Sequence, residues 1–311
     1  MKKILILGGA GFIGSTLANK LNSLGYQVAV FDNLSTGDSK NLNQGIKFYL
    51  GDISDENKLR IVFEKERPDI VINEAAKVYW KESDKNSILD VSTNIIGTIN
   101  LLKLCVEYKV GKFIFASTVS VYGGIGKKKV KENTVISLSD VPTGIFSYGA
   151  TKYLAEKYIN FFAKNYSLKY TILRYGHVYG PGQINQKDGI SIFIDKIINN
   201  DALPIIGSGN QIRDYVYVDD VVDATIKCIE VGENIILNIT GGKPVNAKDL
   251  VNLFSKIVGK SLTKENIRTT NKDKGLFADV SRAKNKIGWS PKTSLRQKLS
   301  NTLDYFKNIN K

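Results

Sequence analysis

Histidine is almost absent from this chain of 311 residues, and cysteine and proline are scarce: one histidine, two cysteines and six prolines. Cys105 and Cys228 each sit inside an apolar pattern of helical spacing. They read as small buried hydrophobes in a reducing compartment, so neither a disulfide nor a metal site is expected. Long apolar runs are lacking too, and no stretch approaches the roughly 20 apolar residues that span a bilayer. The apolar start, Met1 to Leu7, is too short for a secretory signal and runs straight into Gly8-Gly9-Ala10-Gly11 rather than a cleavage site. A cytoplasmic protein with no membrane partner is expected. Low-complexity segments and internal repeats are also missing.

Acidic residues are outnumbered, 30 against 44 basic, for a net charge of +14. Such an excess raises the question of nucleic acid. A strong electrostatic binder concentrates its basic residues on one face, often beside aromatics that stack bases. Here the lysines are spread along the whole chain, and the densest run, Lys127-Lys128-Lys129-Val130-Lys131, has no aromatic among them. A solvated lysine-rich loop accounts for it, and no nucleic-acid partner is expected. The positive surface would help to gather anionic substrates.

What the chain does have is apolar residues, 42% of the total, arranged in alternating strand and helix signals. Lys3–Leu7 reads as a strand ending in glycines, and residues 12–24 as a helix closed by Gly25. Further strands are expected at 28–32, 46–50, 69–73, 112–116 and 170–174, with helices over 88–108 and 148–166. The strands are continuous apolar runs without alternation, as a parallel sheet buried on both faces requires. Repeated strand–helix–strand units predict an α/β protein with a doubly wound parallel sheet of Rossmann type. After Arg174 glycine and proline cluster over 176–182 and the rhythm loosens. A helix at 190–198, an extended segment at 214–218, a helix at 221–231 and a strand at Ile235–Ile239 follow, and 248–311 reads mostly as short helices. The division expected is 1–175 for the sheet domain, with later returns near 211–242, and 176–311 for a smaller mixed α/β lobe.

Three groups of residues carry chemistry. Gly8-Gly9-Ala10-Gly11-Phe12-Ile13-Gly14 joins the first strand to the first helix. Glycines at 8, 11 and 14 make the turn tight and let backbone amides reach a pyrophosphate at the positive helix N-terminus. Asp32 ends the next strand, where a carboxylate accepts the adenosine ribose hydroxyls and repels a 2′-phosphate, so NAD is expected over NADP. The second group is Tyr148-Gly149-Ala150-Thr151-Lys152. Spaced i and i+4, the phenol and the ammonium share a helix face. A phenol with a pKa near ~10 is a poor base at neutral pH. Lys⁺ and a positive nicotinamide ring both favour phenolate, which would make Tyr148 a general base; the bland alternative is an ordinary helix start with an exposed lysine. The third is Ser117-Thr118-Val119-Ser120, after a sheet strand, where ligands of such sheets bind. A hydroxyl there can hydrogen-bond a reacting oxygen, although a Ser/Thr cluster in that place is also simply a turn.

Together these motifs resemble the extended short-chain dehydrogenase/reductase family, and closely its UDP-glucose 4-epimerase-like branch. The resemblance covers nearly the whole chain. It includes Asp32-Asn33-Leu34-Ser35-Thr36-Gly37, Gly51-Asp52-Ile53, Asn73-Glu74-Ala75-Ala76 and Arg174-Tyr175-Gly176-His177-Val178-Tyr179-Gly180-Pro181. Further on it takes in Gly209-Asn210-Gln211-Ile212-Arg213-Asp214-Tyr215 and Ile287-Gly288-Trp289-Ser290-Pro291. The resemblance implies that Gly8, Gly11, Phe12 and Ile13 line the pyrophosphate, Asp32 and Asn33 the ribose, and Asp52 and Ile53 the adenine. Ala75, Tyr148, Lys152 and Tyr175 would position the nicotinamide end, and Tyr148 and Thr118 would handle a sugar 4-hydroxyl. Arg213 matches an arginine that grips the sugar-nucleotide phosphates, with Asp214 bracing its loop. A nucleotide-sugar partner for the second lobe and a homodimer through the helices at 88–108 and 148–166 are implied as well.

In the branch's 4-epimerases a ring hydroxyl is oxidised to a ketone and hydride is returned to its other face. Related 4,6-dehydratases carry an Asp-Glu pair right after the threonine, where this chain has Val119 and Ser120, and decarboxylating relatives place a glutamate at Ser120. Neither Val119 nor Ser120 can serve as acid and base. A 4-epimerase, expected of a UDP-hexose, is therefore the leading reading. The rivals are a 4-dehydrogenase that releases the keto sugar nucleotide, with GDP-sugars among its candidates, and a non-catalytic NAD-binding scaffold. The chain departs from the family at His177, usually Asn, which would either pack beside the cofactor or touch substrate. It departs again at Asn73, commonly His, and at Thr270-Asn271-Lys272-Asp273-Lys274-Gly275-Leu276, which lacks a frequent arginine. Phe277 matches a position where bulk disfavours N-acetylated sugars.

Overall fold

The computed structural model describes residues 1–78, 87–123, 128–136, 146–183, 189–269 and 275–309. The first half runs β1 (Lys3–Leu7), α1 (Phe12–Ser23), β2 (Gln27–Asp32), β3 (Lys47–Leu50), α2 (Glu56–Glu66) and β4 (Ile70–Asn73). One continuous helix follows, made of α3 (Ser87–Val91), a π-helical turn (Ser92–Gly97) and α4 (Thr98–Glu107). Then come β5 (Lys112–Thr118), β6 (Lys128–Val130), α5 (Phe146–Tyr166), β7 (Tyr170–Tyr175) and β8 (His177–Tyr179). The rest is α6 (Gly189–Ile198), β9 (Leu203–Ile206), β10 (Tyr215–Tyr217), α7 (Val218–Glu230), β11 (Ile235–Ile239) and α8 (Ala247–Val258). It closes with β12 (Lys264–Ile267), β13 (Leu276–Ala278), α9 (Ser281–Ile287) and α10 (Leu295–Ile309).

Among the described residues seven strands form one parallel sheet in the order β11-β7-β5-β4-β1-β2-β3. The doubly wound Rossmann sheet is as the apolar runs predict. One apolar layer packs Leu17, Leu21, Val221, Ala224 and Ala283 over one face, and the other packs Leu59, Phe63, Leu101, Leu104, Ala155 and Ile159 over the opposite face. The strand order reverses beside β1, between β2 and β4, which opens a crevice at the carboxyl ends of those strands. The loop after β4 comes so close to Gly8 that a Cβ there would lie 2.6 Å from the Ala75 nitrogen. With φ at +72°, Gly8 is held both by backbone conformation and by space.

Several sequence readings need correction. Strand β5 continues through Ser117 and Thr118, so these hydroxyls sit on the strand end itself. Of the later segments, Ile235–Ile239 joins the large sheet next to β7, whereas β10 pairs with β8 in a separate two-stranded sheet. Pairs β9–β12 and β6–β13 form two further two-stranded sheets and were not read from the sequence. Helices α8 and α10, of 12 and 15 residues, are longer than expected. Finally, the helix Ile88–Glu107 has 20 residues and is apolar enough by composition to cross a membrane. Half of it is buried, and its inward side carries Asn94, Thr98 and Asn100 hydrogen-bonded to neighbouring elements, which is how a core helix is built.

Candidate active site

The crevice holds a cavity of about 260 Å³ walled by Gly8, Gly11, Phe12, Ile13, Asp32, Asn33, Asp52, Ile53 and Ala75. Every one of these was picked out for a dinucleotide, and the ends of strands β1, β2, β3 and β4 with the start of α1 bring them together. Gly14 is fixed by close approach, since a Cβ there would sit 2.2 Å from the Gly8 carbonyl oxygen. The helix can therefore start directly against the turn, aiming its free amides at the cavity. Asp32 is held by the Ala10 and Leu34 amides, which donate to its two oxygens at 2.9 and 2.8 Å. Asn33 donates to Asp52 at 2.6 Å, and Asp52 also takes the Ser54 amide and hydroxyl, so the two sides of the adenosine end are tied. Leu34 adopts φ +58°, a strained value for a side chain with a Cβ, which the Asp32 bond supports.

Thr118, Tyr148 and Lys152 stand at the carboxyl end of β5 and the start of α5. Thr118 hydrogen-bonds the Tyr148 hydroxyl, and its Oγ1 accepts the Ser120 amide at 3.1 Å. Lys152 is buried against Phe115, with Nζ 4.1 Å from the ring centroid, and has no hydrogen-bond partner among the described residues. Burial lowers its pKa to about 7, with Glu74 and Glu156 opposing. Burial also pushes the Tyr148 phenol above its ordinary value, the Thr118 bond opposing and Glu74 adding to the rise. From the sequence, the phenolate is expected to draw on two cations, Lys152 and the positive nicotinamide ring of bound NAD.

Around this pair lie residues that sequence reasoning missed. Asn94, on the π-helical turn, donates to the Lys77 carbonyl and to Thr151 Oγ1 and accepts the Lys77 amide, pinning the α5 start to the loop after β4. A π turn of this kind leaves no periodic signal. Glu74, Lys77 and Thr93 also wall the cavity. Tyr175, already singled out from the sequence, ends β7, buried, with its hydroxyl 2.9 Å from Glu74.

The other predicted residues belong to the smaller sheets. His177 opens β8, half-buried, its ring 5.7 Å from Tyr215 and its amide donating to the Asp214 carbonyl. Burial takes its pKa down to about 3, helped by the Arg213 charge and opposed by a hydrogen bond with the Asp214 backbone, so the imidazole is neutral at pH 7. Arg213 is set by a two-way backbone bridge to Val245. Asp214 is fully buried, accepts the amides of Gly242 and Ala278 at 2.9 Å each, and has its carboxyl raised to about 6 by burial. It thereby fixes β13, where Phe277 pairs with Lys129 of β6. Lys127 and residues 270–274 lie outside the described residues.

The residues present suit a dinucleotide: a glycine turn that a Cβ would block, a carboxylate on the next strand, and a buried ammonium at the start of α5 with no hydrogen-bond partner among the described residues. Comparison with known proteins agrees. Residues 4–240 match the NAD dependent epimerase/dehydratase family. The crystal structure of a UDP-glucose 4-epimerase from Thermotoga maritima with UDP-glucose is 38% identical and superposes with a TM-score of 0.92 over 99% of this chain and all of that one. A UDP-glucuronate 4-epimerase of Thermodesulfobacterium geofontis is 31% identical over 97% of this chain and 95% of its own length. A dTDP-D-glucose 4,6-dehydratase of Dictyostelium discoideum is 38% identical over 75% of this chain and 56% of its own length. This chain belongs to the NAD-dependent epimerase/dehydratase family of extended short-chain dehydrogenase/reductases and is an enzyme of that type, with NAD as its cofactor.

Proposed function

We propose that this enzyme is a nucleotide-sugar 4-epimerase acting on a UDP-hexose. The observation that carries the reading is the Thr118–Tyr148–Lys152 cluster at the end of β5, with Val119 and Ser120 following in place of an acid–base pair. Residues 1–175, with the returns near 211–242, hold the cofactor, and 176–311 the nucleotide sugar. Gly8, Gly11, Phe12 and Ile13 take the pyrophosphate, Asp32 and Asn33 the ribose, and Asp52 and Ile53 the adenine. Ala75, Tyr148, Lys152 and Tyr175 hold the nicotinamide end. NAD, when bound, supplies the acceptor and later the donor of hydride, and its positive ring adds the cationic charge that Tyr148 lacks. Tyr148 then removes the proton of the sugar 4-hydroxyl while Thr118 holds the oxygen. Lys152 stabilises the phenolate, and Tyr148 becomes a neutral phenol beside it once it has taken the proton. Expulsion of water across C5–C6 would need an acid and a base next to Thr118, and valine and serine offer neither. Arg213 grips the diphosphate with its planar fork. His177 is a neutral packing group beside it, and Phe277 narrows the space at the sugar.

A homodimer suits one further feature. Leu154, Tyr158 and Phe161, at i, i+4 and i+7 of α5, are exposed next to exposed Ile88, Val91 and Ile96 on the neighbouring helix. A second copy covering both helices would bury this continuous apolar face. Phe161→Glu should then turn a sedimenting dimer into a monomer; a wild type that sediments as a monomer contradicts the dimer. Cys105 and Cys228, both free and buried, suit a reducing cytoplasm.

The test of the reaction is incubation with a panel of UDP-, GDP-, dTDP- and CDP-sugars, with products identified by NMR. A catalytic mixture of C4 epimers without lasting NADH is expected. Stoichiometric NADH with a released keto sugar would make the enzyme a dehydrogenase instead.

A further inference from the structure

Behind the Thr118–Tyr148–Lys152 cluster the fold buries an ion pair that takes no part in the proton transfer. Arg174 of β7 and Glu156 of α5 are only 2% and 1% exposed, so both charges are out of water. The contact is bidentate: Nε donates to Glu156 Oε1 at 3.0 Å and Nη2 to Oε2 at 2.6 Å. The Ser117 hydroxyl donates to the same Oε1 at 2.6 Å. Ser117 and Arg174 are register partners on the adjacent strands β5 and β7. Glu156 therefore fastens α5 to both strands at once, one residue short of their carboxyl ends.

Each member of this triad adjoins a residue of the site. Ser117 precedes Thr118, Arg174 precedes Tyr175, and Glu156 follows Lys152 by one helical turn, with Tyr148 one turn earlier still. Arg174 is also held from its far side. Its Nη1 donates to the hydroxyl of Tyr122, on the short turn after Thr118, at 2.9 Å and to the Glu132 carbonyl at 3.3 Å. Tyr122 donates in turn to Asn238 of β11 at 2.7 Å, and the Glu132 carboxylate accepts the Asn238 amide at 2.9 Å. The guanidinium cannot follow a shift of α5 without breaking these bonds.

Stability alone is a poor reason for such a pair. Two buried charges lose their hydration, and apolar side chains of similar volume often hold elements together as well or better. Apolar contact is non-directional, however, and leaves a helix free to slide. A bidentate pair fixes both distance and orientation. Tyr148 has to meet Thr118 with that precision, because misplacement by about 1 Å costs up to ~10²-fold in rate.

We propose that Arg174 and Glu156, with Ser117, are positioning residues of the reaction: they set α5, and with it Tyr148 and Lys152, against the Thr118 end of β5. The proposal rests on the roles given to Thr118, Tyr148 and Lys152 under the proposed function.

Glu156→Leu combined with Arg174→Met removes both charges at similar volume, so the core stays filled. The folded, NAD-loaded double variant should lose about 10–100-fold in kcat, with KM for the sugar nucleotide and NAD affinity unchanged. Its crystal structure should show the hydrogen bond between Thr118 and the Tyr148 hydroxyl lost. Ser117→Ala cuts only the tie beside Thr118 and leaves no charge unpaired, so a smaller loss of kcat is expected. Arg174→Lys keeps the charge but not the fork, and kcat should fall here too. Full activity in Arg174→Lys would mean that charge, not geometry, is what the pair supplies. Wild-type kcat in the folded double variant, or in Ser117→Ala if the double variant does not fold, would reduce the pair to a tie that stabilises the fold. A KM that rises as kcat falls would likewise overturn the proposal, as the mark of a generally loosened cleft. Full turnover in Tyr148→Phe would instead overturn the assignment beneath it.

Discussion

At the dinucleotide end of the cleft, nine residues picked out from the sequence wall one cavity, and all come from the first 75 positions and from adjacent strand ends. His177, Arg213 and Phe277, the residues expected at the sugar nucleotide, stand on separate small elements: β8 paired with β10, a bridge to Val245, and β13 paired with β6. The first region is made of strand–turn–helix units whose parts are neighbours in the chain. The second is made of short strands that meet across long stretches of sequence, with Leu276 opposite Lys128 and His177 opposite Tyr215. Local chemistry fixes the first. The second depends on long-range pairing and on Asp214, whose buried carboxylate collects amides from Gly242 and Ala278. The cofactor is therefore legible where the sugar is not.

Substitutions at each end should separate them. The largest effect is expected at Lys152. Lys152→Met should cut kcat by about 10²–10⁴-fold while the ligand-free protein becomes more stable by on the order of 1–3 kcal/mol. The sign follows from burial, which lowers the folded pKa from 10.5 to about 7. Between those values the unfolded chain binds the proton and the folded one does not, so the wild type gains stability as pH rises through that window. The advantage of Met should be full below pH 7 and gone by about pH 10.5, as urea unfolding across pH would measure. Equal stability at all pH values would mean that the ammonium is solvated. Arg213→Ala comes next: KM for the sugar nucleotide should rise by about 10–100-fold, with kcat and NAD affinity little changed. A matching loss of NAD affinity in isothermal titration would show that the two ends are not independent.

The same contrast explains what sequence reading reaches. The apolar strands of the large sheet declare themselves, because a strand buried on both faces must be apolar throughout. Helix α2 escapes, since only Leu59, Val62, Phe63 and Glu66 of its charged sequence are buried. Strand β12 escapes because all four of its residues are exposed and carry no pattern. Tyr148 and Lys152 are visible through their spacing, but the ionisation of the pair is not. It depends on burial, on Thr118 and on Glu74, and Glu74 reads from sequence as one more charged residue in a loop. Asn94 is hidden by the π turn that aims it.

The most direct test of the account is Tyr148→Phe, assayed for epimer formation by NMR and for bound NAD after purification. The account predicts a folded protein that keeps its NAD and loses turnover with every sugar nucleotide the wild type accepts. Retained epimerisation at the wild-type rate would contradict it, because the proton would then be leaving through some other group.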